Sequence, residues 1–280
     1  MKYLSSIFSA LIFLNIFVWY WGITGAPSAA LNVYFLDVGQ GDSTLTVLPG
    51  GVKILTDGGP DKSVLSGLGK TLSPTDRYID LVILSHPELD HFTGLISVLE
   101  RYRVGAFIWN GRERDNDSWR ELQAVLESKD VPVIVLGDND KIIYKGSELK
   151  IISPDGEFTE DSKLNNTSLV ALLNSGGVKT LFTGDIGFEV ENKLVNEYNL
   201  DIDVLKVPHH GSRYSSSSAF LNETTPLLSV IQVGKNRYGH PTKETLARLA
   251  QVGSSIYRND EGGLIHLVAL NGKLNVFKRK

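Results

Sequence analysis

From position 31 onward, short runs of apolar and β-branched residues alternate with Gly-rich turns. LNVYFLDV (31–38), STLTVL (43–48) and VKILTD (52–57), with QGD and PGG between them, predict three strands. DLVILS (80–85) is apolar without alternation, the pattern of a strand buried on both faces. The period then changes. FTGLISVLERY (92–102) places Leu95, Val98, Leu99 and Tyr102 on one side of a helix, and WRELQAVLES (119–128) repeats that spacing before the β run VPVIVL (131–136). In the second half, KIIYKG (141–146) and ELKIISP (148–154) predict a hairpin around Lys-Gly, and SLVALLN (168–174) with VKTLFTGD (178–185) another around Gly-Gly. Helices over 189–198 and 242–252 and strands over 203–208, 227–233, 254–259, 263–270 and 274–278 complete the pattern. No linker interrupts 31–280. The chain therefore predicts one α/β domain, two mixed sheets packed face to face with helices outside.

The first 30 residues follow a different rule. Lys2 is the one charge before an apolar stretch from Tyr3 to Ile23, close to the roughly 20 residues that span a bilayer. Trp19, Tyr20 and Trp21 stand at its far end like an interfacial belt, and the small residues TGAPSAA (24–30) follow. The stretch reads as a membrane anchor or as a cleaved signal peptide, with a buried core helix as the third reading. Either of the first two puts residues 31–280 outside the cytoplasm. The expected division is thus an N-terminal segment, 1–30, and a soluble domain, 31–280.

Composition narrows the chemistry. There are no cysteines, which excludes disulfides, thiolate metal sites and cysteine nucleophiles. The net charge of −4 gives no global attraction to nucleic acid, so a polyanion would need a local basic patch. Any metal site must be built from His, Asp, Glu and water.

SHPELDH (85–91) is where such a site is most visible: His86, Glu88, Asp90 and His91 offer four ligands in six residues where an apolar strand gives way to a helix. Strand ends of this kind are where α/β proteins gather ligands. Of the six histidines, three more stand at strand ends: His209 and His210 in VPHHGS (207–212) and His240 in YGHP (238–241). Asp185 in LFTGDIG (181–187) has the same placement. His266, inside GLIHLVAL, reads as a packed strand residue.

Taken in order, SHPELDHFTG, TGD, PHHGS and GHP, with FLDVGQGDS (35–43), ILTDGG (54–59) and NNTSLV (165–170), resemble the metallo-β-lactamase superfamily. More narrowly they resemble the hydrolase domain of ComEC-type DNA-internalisation competence proteins, over about 32–270. The resemblance implies an αββα sandwich with two divalent ions at one edge of the sheets, manganese or zinc, with magnesium as a third candidate. It implies that His86 and Glu88 serve one ion and Asp90 and His91 the other. Asp185 would bridge the two, His209 or His210 would complete the second position, and Asp57 would orient the His86–His91 loop. Asn166, Ser168, Ser212, Arg213 and Lys235 are the substrate-contact candidates.

Three departures stand out. Glu88 replaces a histidine of the usual box, and no further histidine lies between 92 and 208, so the first position is rich in oxygen, filled out by Asn165, Asn166 or water. That favours harder ions than zinc, or loss of the first ion. The relatives' many membrane segments are also not matched by this chain's single apolar stretch, so only the hydrolase part of the resemblance transfers.

Two ions suit phosphodiester hydrolysis, with Asp90 accepting a proton and His240 donating one to the leaving oxygen or holding the phosphate. Lys206, Arg213, Lys235, Arg237, Lys243 and Arg248 outnumber Glu223 and Glu244 in the segment 206–248, and Tyr214 and Tyr238 are placed to stack on bases. The expectation is a metal-dependent phosphodiesterase or nuclease acting on DNA beside an uptake channel, tied to the membrane by residues 3–23. The alternatives are hydrolysis of a lactone, thioester or amide on the same scaffold, and a non-catalytic module that binds DNA or an envelope partner.

Overall fold

The computed structural model describes the backbone of residues 2–24 and 28–279, and the side chains of 3, 6–20 and 28–279. Helix α1 (Lys2–Thr24) carries the apolar N-terminal stretch, and the described side chains between 6 and 20 are exposed. Among the described residues no helix is long and apolar enough to cross a membrane. The junction at 25–27, within the small-residue linker, lies outside the described residues.

Two mixed sheets form the centre of the domain. The first contains β1 (Leu31–Phe35), β2 (Thr44–Val47), β3 (Lys53–Thr56), β4 (Tyr78–Ile83), β5 (Arg103–Trp109) and β6 (Val133–Val135). The second contains β7 (Lys141–Tyr144), β8 (Ser147–Ser153), β9 (Val170–Ser175), β10 (Val178–Phe182), β11 (Val204–Lys206), β12 (Leu228–Ile231) and β13 (Ser255–Arg258). The hairpin β14 (Leu264–Leu270) and β15 (Lys273–Arg279) returns to the first sheet, whose order is β15-β14-β1-β2-β3-β4-β5-β6; the second runs β13 to β7 in reverse sequence order. Each sheet is antiparallel at one side and parallel at the other: β3 to β6 are parallel in the first, β10 to β13 in the second.

The packing is αββα. Val33, Phe35, Ile54, Ile83, Ile151, Leu173 and Phe182 fill the space between the sheets. Helices α2 (Ser63–Thr71), α3 (Leu89–Arg101) and α4 (Asp117–Ser128) cover the first sheet through Leu68, Leu95, Leu99 and Leu122. Helices α5 (Phe188–Glu197), α6 (Ser218–Thr224) and α7 (Lys243–Gln251) cover the second through Val190, Leu194, Phe220 and Leu249. The unbroken apolar run at 80–85 now has its cause: Ile83 faces the other sheet and Val82 faces the helices. His266 is a strand residue, stacked on Tyr34 at 4.0 Å. The outer strand β6 leaves Val133, Ile134 and Val135 exposed.

Three elements go beyond the sequence pattern. Strand β5 follows α3 so directly that its start is hidden between Arg101 and Arg103. Helix α2 contains Gly67, whose missing side chain lets the helix lie against Leu36; a Cβ there would stand 3.1 Å from that side chain. Helix α6 is a short element capped by Ser217, whose side chain accepts from the Phe220 N–H. Helix α3 also begins earlier than expected, at Leu89, so Asp90 and His91 belong to its first turn.

That first turn is locked to the end of β3 by backbone contacts. The Gly58 N–H donates to the His91 carbonyl at 2.6 Å, and the Gly94 N–H donates to the Gly59 carbonyl at 3.0 Å. A Cβ on Gly94 would meet the Gly58 carbonyl oxygen at 2.0 Å and the Asp61 carbonyl oxygen at 2.5 Å. Backbone cannot give way as a side chain can, so Gly94→Ala should destabilise the fold by about 1–3 kcal/mol. Urea unfolding checks it: a midpoint equal to that of the parent protein would show that α3 can retreat without cost.

Candidate metal centre

One edge of the sandwich collects polar loops from both sheets, each following a strand end. Asp57 follows β3, the segment 85–91 follows β4, Asp185 follows β10, and His209 and His210 follow β11. At Asp57 (φ 59), His209 (φ 51) and His210 (φ 53) the backbone is left-handed, which Asp and His tolerate better than most residues. These turns point the side chains back over the sheet edge instead of along the strands.

Three buried histidines are held the same way. His91 Nδ1 donates to Asp57 Oδ2 at 2.9 Å. Ser85 Oγ donates to the same oxygen at 2.8 Å, which leaves it to accept from His86 Nδ1 at 3.0 Å. His210 Nδ1 donates to the Gln232 carbonyl at 2.8 Å. A carboxylate or carbonyl can only accept, so each Nδ1 carries the proton and each Nε2 is the nitrogen left to take an ion. Those three Nε2 atoms, with Asp185 Oδ1, are buried without a hydrogen-bond partner. Buried polar atoms are rarely left this way, and here four of them face one locus.

The carboxylates close the constellation. Asp185 Oδ2 lies 3.4 Å from His91 Nε2 and 3.3 Å from His210 Nε2, and Asp90 Oδ2 lies 3.3 Å from His210 Nε2. His86, His91 and Asp185 can share one ion, and Asp90, His91 and His210 another. This donor set of imidazole and carboxylate suits zinc, manganese or iron. The residues present therefore fit a divalent cation.

The electrostatics match that role. Burial opposes charge on His91, but Asp185 and Asp57 outweigh it and lift its pKa well above the usual value. Burial opposes charge on His210 as well, and Asp185 and Asp42 overcome it. Burial also works against ionisation of Asp185 and Asp90, yet the neighbouring histidines hold both below the ordinary carboxylate range. His86 differs: burial and then the charge of His91 push it down to about 3, so it is neutral.

Several sequence-derived assignments change. Of the adjacent pair, His210 reaches the carboxylates, while His209 lines the cleft with its Nε2 3.4 Å from Asn165 Nδ2. Glu88 belongs to none of the ligand groups among the described residues; its carboxylate is ion-paired to Arg114. Asn166 is buried with its amide donating to Asp161 and Glu189, both at 2.8 Å, so it has no hydrogen left for a substrate. Ser168 is buried and accepts from the Asp185 N–H at 3.2 Å, which makes it a support for the ligand loop. Ser212 is buried and accepts from the Tyr214 N–H at 3.3 Å. Arg213 and Lys235 are exposed, as substrate contacts must be. His240 lines the cleft, but burial and the charges of His209 and His210 push it down to about 4, so at neutral pH it is an uncharged imidazole with one ring N–H and no imidazolium proton to give as an acid.

The basic segment changes too. Lys206 is not a surface charge: it is 3% exposed, paired with Asp42, 3.6 Å from Asp185 Oδ1, and it donates to the Gly184 carbonyl at 2.9 Å. Arg248 is spent on the carbonyls of Ser216 and Ser215, at 2.7 and 2.8 Å. The charges left for solution are Arg213, Lys235, Arg237 and Lys243. Asp42 was missed by sequence reasoning, as were Ser85 and Arg114. Asp42 stands in the turn between β1 and β2, the same strand-end signal that marks Asp57, and a lone Lys in the apolar run DVLKVP signals a buried partner.

The centre forms the floor of a cleft with two lobes. One, about 440 Å³, is lined by Lys163, Leu164, Phe188 and Tyr214; the other, about 260 Å³, by Gln40, Glu88, Tyr238 and His240. Asp185, Asn165 and His209 line both.

A family model described as the metallo-beta-lactamase superfamily matches residues 36–235. ComE operon protein 3 of Bacillus subtilis (strain 168) is 30% identical over 254 residues, covering 84% of this chain and 32% of that protein. Competence protein ComA of Neisseria gonorrhoeae is 30% identical over 241 residues, covering 85% of this chain and 32% of that protein. The chain thus spans about a third of the length of these curated relatives. Among solved structures, the metallo-beta-lactamase fold protein YhfI from Bacillus subtilis superposes with a TM-score of 0.59 at 13% identity, covering 85% of this chain and all of that one.

Two outcomes follow. Lys206→Met leaves Asp42 charged and buried without its partner, which should cost about 3–5 kcal/mol; adding Asp42→Asn should recover most of it. Thermal unfolding of the two variants checks this, and equal loss in both would deny the pairing. Separately, binding an ion must displace the protons that Asp185, Asp57 and Asp42 keep on His91 and His210. In chelator-treated protein, their contribution to stability is complete below the ordinary histidine pKa of 6.5 and is lost as pH rises through their raised values. Ion affinity should therefore climb with pH over that window. Titration calorimetry at pH 7 should show heats that depend on the buffer's ionisation enthalpy; buffer-independent heats would show that the pair is already neutral.

Proposed function

Because the chain belongs to the metallo-β-lactamase superfamily and resembles the ComEC-type competence proteins within it, we propose that it is a metal-dependent phosphodiesterase acting on DNA outside the cytoplasmic membrane. Residues 1–30 serve as its anchor and linker and 31–280 as its hydrolase domain, working beside a DNA-uptake channel. The observation that carries this reading is the convergence of three unpartnered imidazole nitrogens on Asp185 at the floor of a two-lobed cleft. Two lobes that share Asn165, Asp185 and His209 leave room on either side of the centre, as a polymer lying across it needs.

A divalent ion held by His86, Asp90, His91, Asp185 and His210 would supply Lewis acidity, lowering the pKa of water and offsetting charge on the phosphate. The remaining roles fall to the chain's own groups. Asp90 is the least buried of the ligand carboxylates and faces the cleft, so it is the group that accepts a proton from the attacking water. His240, neutral at pH 7, donates a ring N–H to a phosphate oxygen instead of acting as the acid. Tyr214, exposed in one lobe, and Tyr238, exposed in the other, offer stacking faces for bases on either side of the scissile bond. Arg213, Lys235, Arg237 and Lys243 track the flanking phosphates. The printed name of one relative, competence protein ComA, supports a place in competence.

The test is an assay of the full chain with Mn²⁺, Zn²⁺ or Mg²⁺ on single- and double-stranded DNA, alongside a lactone and a thioester. Cleavage of DNA that chelator abolishes, and that Asp185→Asn lowers by at least about 100-fold, is expected. Turnover of the lactone or thioester without DNA cleavage would transfer the site to a different hydrolysis. Silence with every substrate and ion would leave a DNA- or envelope-binding module.

A further inference from the structure

The ligand atoms fall into two unequal groups. Asp90 and His210 supply one side of the centre, with His91 and Asp185 between them and the other side. The other side has His86 as its one exclusive ligand among the described residues. Glu88, two residues from His86 on the same loop and lining the same cleft as Asp90, is a carboxylate outside the ligand groups that could complete it. It is engaged elsewhere. Arg114 Nη1 holds the Glu88 carboxylate and also donates to the Pro87 carbonyl at 3.1 Å, gripping the loop by side chain and backbone together.

Glu88 is free to change partner without moving the loop. Its N–H donates to the His86 carbonyl at 2.9 Å, and its own carbonyl accepts from the His91 and Phe92 N–H groups at 3.0 and 3.1 Å. The side chain already lines the cleft beside Asp90, and these backbone bonds do not depend on its pairing with Arg114. Arg114 sits on the loop between β5 and α4 and touches no ligand. Glu88 and Arg114 are 30% and 28% exposed, so the pair is accessible to water and its strength is modest.

We propose that Arg114 sets the ion stoichiometry of the centre by withholding Glu88 from the His86 side. The Asp90–His210 side then fills first and tightly, and the His86 side fills weakly, only as Glu88 leaves Arg114. This rests on the reading of the site as a metal centre. A partly exposed ion pair shifts such a competition on the order of fivefold.

Calorimetric titration and elemental analysis of the full chain with Mn²⁺ and with Zn²⁺ test it, on the parent protein, Arg114→Ala, Glu88→Gln and the double variant. Arg114→Ala should tighten the weaker ion about fivefold and leave the tighter one unchanged, and Glu88→Gln should abolish that gain in the Arg114→Ala background. Unchanged binding in Arg114→Ala, or a gain that survives in the double variant, overturns the proposal; the second result would mean that Arg114 acts through charge alone. Failure of all four proteins to bind any ion would instead remove the metal centre itself. Circular dichroism of each variant confirms that the fold is kept, since Arg114 and Glu88 are both partly exposed and outside the core.

Discussion

Asp57 accepts three hydrogen bonds, from the Ser85 N–H and Ser85 Oγ at 2.8 Å and from His91 Nδ1 at 2.9 Å, while lying 2% exposed at the end of β3. Two of the three buried imidazoles take their orientation from it, His91 directly and His86 through Ser85 Oγ. Burial raises its pKa, and the charge of His91 pulls in the opposite direction, so its ionised form depends on the histidine it orients. The loop 85–91 would otherwise be a turn with several rotamers open to each side chain. With Asp57 in place, His86 and His91 have one tautomer and one direction each. The left-handed backbone at Asp57 and the close passage of Gly58 and Gly94 bring the carboxylate under the loop.

A second constraint is charge. Asp42, Asp57, Asp90 and Asp185 crowd one small volume, and such a cluster is unstable without cations. Lys206 supplies one that cannot leave, in contact with Asp42 and within reach of Asp185. His91 and His210 supply the rest by taking protons. The centre is thereby a balance between a fixed ammonium and exchangeable positive charge, and an ion enters by replacing protons rather than by filling neutral space.

Much of this was legible in the chain. The apolar runs located most strands because Val, Ile and Leu alternate or cluster at lengths only strands use. The motif SHPELDH, with TGD and HHGS, placed the right loops at the right edge because polar residues at strand ends have no other reason to recur. What was not legible is tertiary in origin. Lys206 read as surface charge because its partner Asp42 is far away in sequence. Glu88 read as a ligand because Arg114, which takes it, lies on a different loop. His209 and His210 were indistinguishable as neighbours; only their left-handed turn separates one toward the carboxylates and the other toward Asn165. Strand β5 was hidden by the charges at its start, and α2 by the glycine that lets it pack.

The two sheets contribute the centre jointly: Asp57, His86 and His91 come from the first, Asp185 and His210 from the second. No local segment can assemble it, since the contacts close loops of roughly a hundred residues whose entropy must be overcome first. The centre is therefore born late in folding, once the sandwich has already docked. An ion captured there does not nucleate the protein. It would report that the chain has finished, and would add to the polar links the two halves already share, among them Thr44 with Gln232, Asn110 with Thr167 and Lys206 with Asp42.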